Sequence, residues 1–161
     1  MSGPVVILLQ RTFCDPQAAA RALIDAGIGA EARWTAVALV SVLALIGPNL
    51  ALWMGPATGP TVFAAIARPW PGLVMQALSI LLLAGVMVLA GRIQGGQGRF
   101  ADALLLVTWI EFIMVLSQAV QIVVMLVLPG LALLVSLGSL LLFVWLMTHF
   151  TTALHRLTSL G

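Results

Sequence analysis

Apolar positions along the chain fall into four long blocks, separated by breaks rich in glycine, proline or polar residues. Residues 34–54, 72–90, 101–128 and 131–152 each run for about 20 residues or more with almost no charge. That length matches the hydrocarbon thickness of a bilayer. A helix is the conformation that satisfies every backbone polar group there within one segment. The pattern predicts an all-α fold: a polytopic transmembrane helical bundle of four spans, preceded by an interfacial amphipathic helix. Residues 1–33 then form a cytoplasmic or interfacial N-terminal segment, 34–156 the bundle, and 157–161 a C-terminal tail.

Local chemistry sharpens the boundaries. Residues 5–13 are apolar enough to lie on a membrane surface. Asp15-Pro16 reads as a helix start, with Asp15 as N-cap and Pro16 in the first helical position, and the helix should stop near Gly27. Trp34 and Trp53 bracket the first span, as tryptophans do at headgroup depth. Pro48 removes the bond to the carbonyl of Ala44, so a kink is expected, with Asn49 helping to satisfy the freed backbone or meeting a neighbouring helix. Gly47 and Ala51 offer a small-residue contact for self-association. Residues 55–71 read as a loop, in which 61–67 can form a short interfacial helix and Arg68 and Trp70 suit the membrane boundary. Gln76 in the second span is expected to bond another helix. The third block, at about 42 Å if straight, exceeds the roughly 30 Å hydrocarbon core and must tilt or protrude. Pro129-Gly130 then turns the chain so that the last two spans pack antiparallel.

Composition settles the class. Hydrophobic residues make up 62% of the 161 and charged residues 7%, too few to clothe a soluble core. Residues 5–9 are too short for a cleavable signal core and lack a basic flank, so the first span is expected to act as an uncleaved signal. The seven basic residues are all arginine and dispersed, which argues for topology rather than a nucleic-acid surface. With the N-terminus inside, Arg11, Arg21, Arg33, Arg92, Arg99 and Arg156 face the cytoplasm and Arg68 lies outside, the arrangement that the positive-inside rule favours. Localisation in the inner (plasma) membrane with a cytoplasmic N-terminus is expected. Cys14 is the single cysteine, which excludes an internal disulfide or a cysteine metal site; it reads as a small packing residue.

Candidate chemistry concentrates on the third block. Thr108, Glu111, Gln118 and Gln121 share one helical stripe, and Ser117 points to its side. A charged Glu111 facing lipid would cost about 2.5 kcal/mol or more, so it should face the bundle, protonated or paired. His149 lies at similar depth on the last span, measured from the Pro129-Gly130 turn. Thr108, Glu111, Gln118 and His149 are therefore the candidate intramembrane polar cluster: a proton or ion relay, or polar glue between helices. One acid and one histidine are thin for a pump, which favours glue. Before this block, Arg92, Gly95, Gly96, Gly98 and Arg99 form a glycine-rich turn without the lysine ending or preceding strand of a P-loop. It is the candidate cytoplasmic interaction loop. No nucleophile–base pair, metal-ligand cluster or cofactor motif is present, so no catalytic residue, metal or cofactor is expected.

Several stretches resemble one family. They are Asp15-Pro16-Gln17-Ala-Ala-Ala-Arg-Ala-Leu, Gly95-Gly96-Gln97-Gly98-Arg99-Phe100, the Phe100-Ala-Asp-Ala-Leu-Leu-Leu-Val-Thr-Trp that follows, and Leu141-Leu-Phe-Val-Trp-Leu-Met-Thr-His-Phe. In order and spacing these are similar to bacterial members of the YIP family, the Ypt/Rab-interacting membrane proteins. The resemblance implies a cytoplasmic N-terminus and a compact bundle, usually of five spans. Gly161 falls where a fifth would begin, so a four-span variant or a truncated chain is expected. Eukaryotic relatives bind Rab-type GTPases in vesicle traffic. The expectation is a non-catalytic membrane scaffold or interaction protein, in membrane organisation or trafficking-like processes. Its partners would be the lipid bilayer and other membrane proteins or a second copy, with no nucleic acid. The alternative is a small transporter or channel subunit that uses Glu111.

Overall fold

Six α-helices and one 3₁₀ turn make up the described structure. It is a computed structural model that describes residues 3–54, 68–93 and 95–155, with side chains outside 51–54. The helices are α1 (Pro4–Cys14), α2 (Pro16–Asp25), α3 (Ala30–Met54), α4 (Pro69–Ile93), α5 (Phe100–Val127) and α6 (Ala132–Leu154). The four helices α3 to α6 are long and apolar enough to cross a membrane.

Helix α5 is the hub. It packs against α3, α4 and α6 and also receives α2. Its first half supplies most of the core: Ala103, Leu106, Val107, Ile110 and Ile113 are buried against Ile80, Ala84 and Met87 of α4 and Leu146 and Phe150 of α6. The outward faces carry Leu82, Val86 and Leu89 of α4 and Leu133, Leu134, Leu140 and Leu141 of α6, all exposed. Such faces are stable only in lipid.

Each span extends past its hydropathic block at an end. Helix α3 begins at Ala30, ahead of Trp34, because Glu31 in its first turn complements the helix dipole. Helix α4 begins at Pro69 rather than Gly72. The first turn of a helix has N–H groups without intrahelical partners, so Pro69 and Pro71 fit where they would break an interior turn. The expected loop therefore ends at Arg68, whose carbonyl accepts the Gly72 N–H at 2.9 Å. The short helix expected over residues 61–67 lies outside the described residues. Pro48 sits inside α3, and the Asn49 amide donates to the Leu45 carbonyl at 2.8 Å, one residue on from the carbonyl that the proline leaves unpaired. At the far end, Leu128 leaves helical geometry and Pro129–Leu131 forms the 3₁₀ turn that reverses α5 into α6.

The N-terminal lead-in forms two helices. Asp15 accepts the Ala18 N–H at 2.9 Å and caps α2, as its place before Pro16 predicts. Helix α2 is amphipathic in a demanding sense. Ala19, Ala20 and Leu23 are buried under α6 and α5, while Arg21 and Asp25 are exposed. It closes one end of the bundle. Helix α1 leaves Val5, Val6, Ile7 and Phe13 exposed, and Cys14 is also exposed rather than packed.

Candidate functional site

The polar residues of α5 each find a partner, and the partners differ. The Gln76 amide of α4 donates to Glu111 Oε2 at 3.1 Å. Thr108 is buried and donates to the Leu104 carbonyl of its own helix at 2.7 Å. Gln118 lies against Gly47 of α3, where a Cβ would overlap its side chain. The small residue expected at a self-association face is thus used within the chain. Gln121 donates to Ser139 Oγ of α6 at 2.7 Å, and Ser117 shares a 2.6 Å bond with the same hydroxyl. His149 sits edge-on to Trp145, with ring centroids 5.1 Å apart. Glu111 and His149 form no ion pair: Glu111 meets α4 and Gln118 meets α3, while Thr108 and His149 are engaged within their own helices. A small cavity, of about 170 Å³, opens beside Gln118 between Gly47, Pro48, Gln121, Met125 and Ser136.

At the other end of α5 the polar groups converge. His155, the residue that ends α6, is buried among three glycines. A Cβ at Gly91, Gly96 or Gly98 would overlap its ring. The Gly98 N–H donates to Nδ1 at 3.0 Å, which leaves Nε2 as the protonated nitrogen that donates to the Met87 carbonyl at 3.2 Å. One imidazole thereby joins α4, the α4–α5 loop and α6. The loop glycines have distinct uses: Gly95 takes a left-handed φ of 82° to reverse the chain, while Gly96 and Gly98 admit the ring. Of the sequence-selected loop residues, Arg92, Gly95 and Arg99 are exposed and Gly98 is buried.

Three further contacts tie this end. Arg33 of α3 pairs with Asp102 in the first turn of α5 at 3.5 Å. The Trp109 indole N–H donates to Thr12 of α1 at 3.1 Å, and Thr12 in turn donates to the Leu8 carbonyl. The Gln17 amide of α2 approaches Thr152 Oγ1 of α6 at 3.4 Å. Beside the imidazole opens a cleft of about 500 Å³, walled by Arg21, Asp25, Gln97, Arg99, Asp102 and Thr152. Composition and spacing point to the loop but not to His155, which looks like an ordinary residue at a helix end. The available signal is Gly91, a helix-interior glycine four residues before Gly95, since glycine in a helix often marks a close approach.

This architecture of four apolar spans behind a short N-terminal helix has a family counterpart: the Yip1 domain profile matches residues 11–161. The chain belongs to the Yip1 family. Comparisons with curated proteins and with solved structures give no match. The family match spans α2, all four long helices and the glycine loop with its histidine, so the end of the bundle latched by His155 belongs to the domain itself. Among the described residues, no group of three or more His, Cys, Asp or Glu side chains gathers as a metal site would require.

Proposed function

We propose that this Yip1-family protein is a non-catalytic membrane scaffold, multi-pass in the inner membrane, whose latched end faces the cytoplasm and binds other membrane proteins. One observation carries the reading. Helices α1, α2, α3, α5 and α6 and the α4–α5 loop are cross-tied at one end by His155, Arg33–Asp102, Thr12–Trp109 and Gln17–Thr152. A surface so fixed is preorganised, which reduces the ordering cost of association. Orientation follows from charge. Arg21, Arg33, Arg92 and Arg99 gather at the latched end, and Arg68 stands at the start of α4, about 37 Å away along a 25-residue helix. The Arg92–Arg99 loop is the contact surface of choice.

Cross-linking in the membrane, mild solubilisation and mass spectrometry of the co-purified proteins test the reading. The expected result is a stoichiometric partner that is lost when Arg92 and Arg99 are both replaced with Gln. A clean monomer, or capture unchanged by the double replacement, overturns it. A second reading, a small transporter subunit, draws support from Glu111, a carboxyl group held inside the bundle by one amide.

A further inference from the structure

Both walls of the cleft beside His155 carry charges of both signs. Arg21 and Asp25 stand four residues apart on one face of α2. Across from them, Arg99 precedes α5 and Asp102 lies in its first turn. Each wall thus brings one guanidinium and one carboxylate. Asp102 is already engaged by Arg33, whereas Asp25 has no ion pair among the described residues. Gln97 adds a neutral hydrogen-bonding group, the Thr152 hydroxyl being taken up by the His149 carbonyl and Gln17, and Ile24, Ala153 and Leu154 supply apolar lining. Helix α5 also starts here without a side-chain cap; the Arg99 carbonyl accepts the Asp102 and Ala103 N–H groups, which leaves those of Phe100 and Ala101 at this end.

A simple anion would meet the carboxylates and a simple cation the arginines. A ligand that carries both charges a short distance apart satisfies both sets. The cleft lies at the end of the apolar spans, and the exposed apolar face of α4 runs out to Leu89 and Ile93 at the same end. The geometry points to the headgroup of an ethanolamine phospholipid, its phosphate against Arg21, Arg99 and the start of α5, and its ammonium against Asp25. The primary ammonium fits better than a quaternary one. It brings N–H donors that carboxylate and amide oxygens can accept, whereas choline groups are held by aromatic cages, and the described lining has no Trp, Phe or Tyr. The volume of about 500 Å³ falls within the usual range for small-ligand sites. The assignment holds for whichever leaflet this end faces, so it stands apart from the scaffold reading.

The test is native mass spectrometry of the full chain, delipidated in neutral detergent and titrated with short-chain phosphatidylethanolamine, phosphatidylcholine and phosphatidylglycerol, and with free O-phosphoethanolamine. Phosphatidylethanolamine should bind about tenfold more tightly than the other two lipids, a difference of roughly 1.4 kcal/mol. Asp25→Asn should erase that preference without weakening phosphatidylglycerol, and Arg21→Gln should weaken all three lipids. Both residues are exposed, so unchanged melting of each variant is the folding control. Equal binding of ethanolamine and choline lipids, or a preference that survives Asp25→Asn, overturns the proposal. So does free O-phosphoethanolamine binding as tightly as the lipid, because the ligand would then be a soluble compound.

Discussion

Replacing Gly91 with Ala should have opposite effects in two backgrounds. In the native chain the new Cβ overlaps the His155 ring. The ring must then move, and the overpacking costs about 1–3 kcal/mol. Displacing the imidazole also strands the buried Gly98 N–H, whose acceptor among the described residues is Nδ1, for a further 1–3 kcal/mol or so. In a His155→Ala chain the methyl group enters vacated space. Alanine there also recovers up to about 1 kcal/mol of helix propensity, because Gly91 lies within α4. The single change should therefore destabilise by about 1–5 kcal/mol once that gain is subtracted, and in the His155→Ala background it should be neutral or stabilising. The readout is equilibrium unfolding in mixed micelles, followed by tryptophan fluorescence and analysed as a double-mutant cycle. If Gly91→Ala costs the same in both backgrounds, His155 is not what the glycine admits, and the latch argument fails.

Three other outcomes follow from the contacts. Glu111→Gln retains a side chain that can meet the Gln76 amide, so stability should shift by less than about 1 kcal/mol and partner capture should persist. Abolished ion flux in proteoliposomes with the fold intact would instead establish the transporter reading. Trp109→Phe removes the donor to Thr12, and hydrogen exchange of α1 should rise while global stability falls by about 1 kcal/mol. Ser139→Ala removes the shared partner of Ser117 and Gln121, and a loss of about 1–2 kcal/mol in denaturation is expected, with Ser117→Ala adding little on top.

Hydropathy made the four spans legible because bilayer thickness acts on each segment separately. The cap at Asp15-Pro16 was legible for the same reason: its chemistry is complete within four residues. The helix ends were less so, since prolines at 69 and 71 look like loop residues until the orphan N–H groups of a first turn are counted. Pairings across helices depend on rotation and register, which no single stretch encodes. Glu111 meets Gln76 rather than His149 because α4 presents its amide there, whereas His149 turns its ring toward Trp145 of its own helix. Helix α2 concealed its burial in small residues. Ala19 and Ala20 carry little hydropathy, yet their size lets α2 settle closely on α6. His155 was hidden because its cradle is made of glycines, which contribute shape and no chemical signature.

The cross-ties also impose an order on biosynthesis. Gln17 and Thr152 are 135 positions apart, so at about 5–20 residues per second the first must wait roughly 7–27 s for the second to be made. Gly98 waits 57 positions for its imidazole, which follows Thr152 by three residues. Until then α2 lacks its seat on α6 and has only α5 to pack on, and Arg33 gains its acid only once α5 has begun to emerge. A nascent chain of this protein is therefore left with α2 only partly seated until α6 arrives, a window in which insertion factors and proteases can distinguish chains that carry the cross-ties from chains that do not.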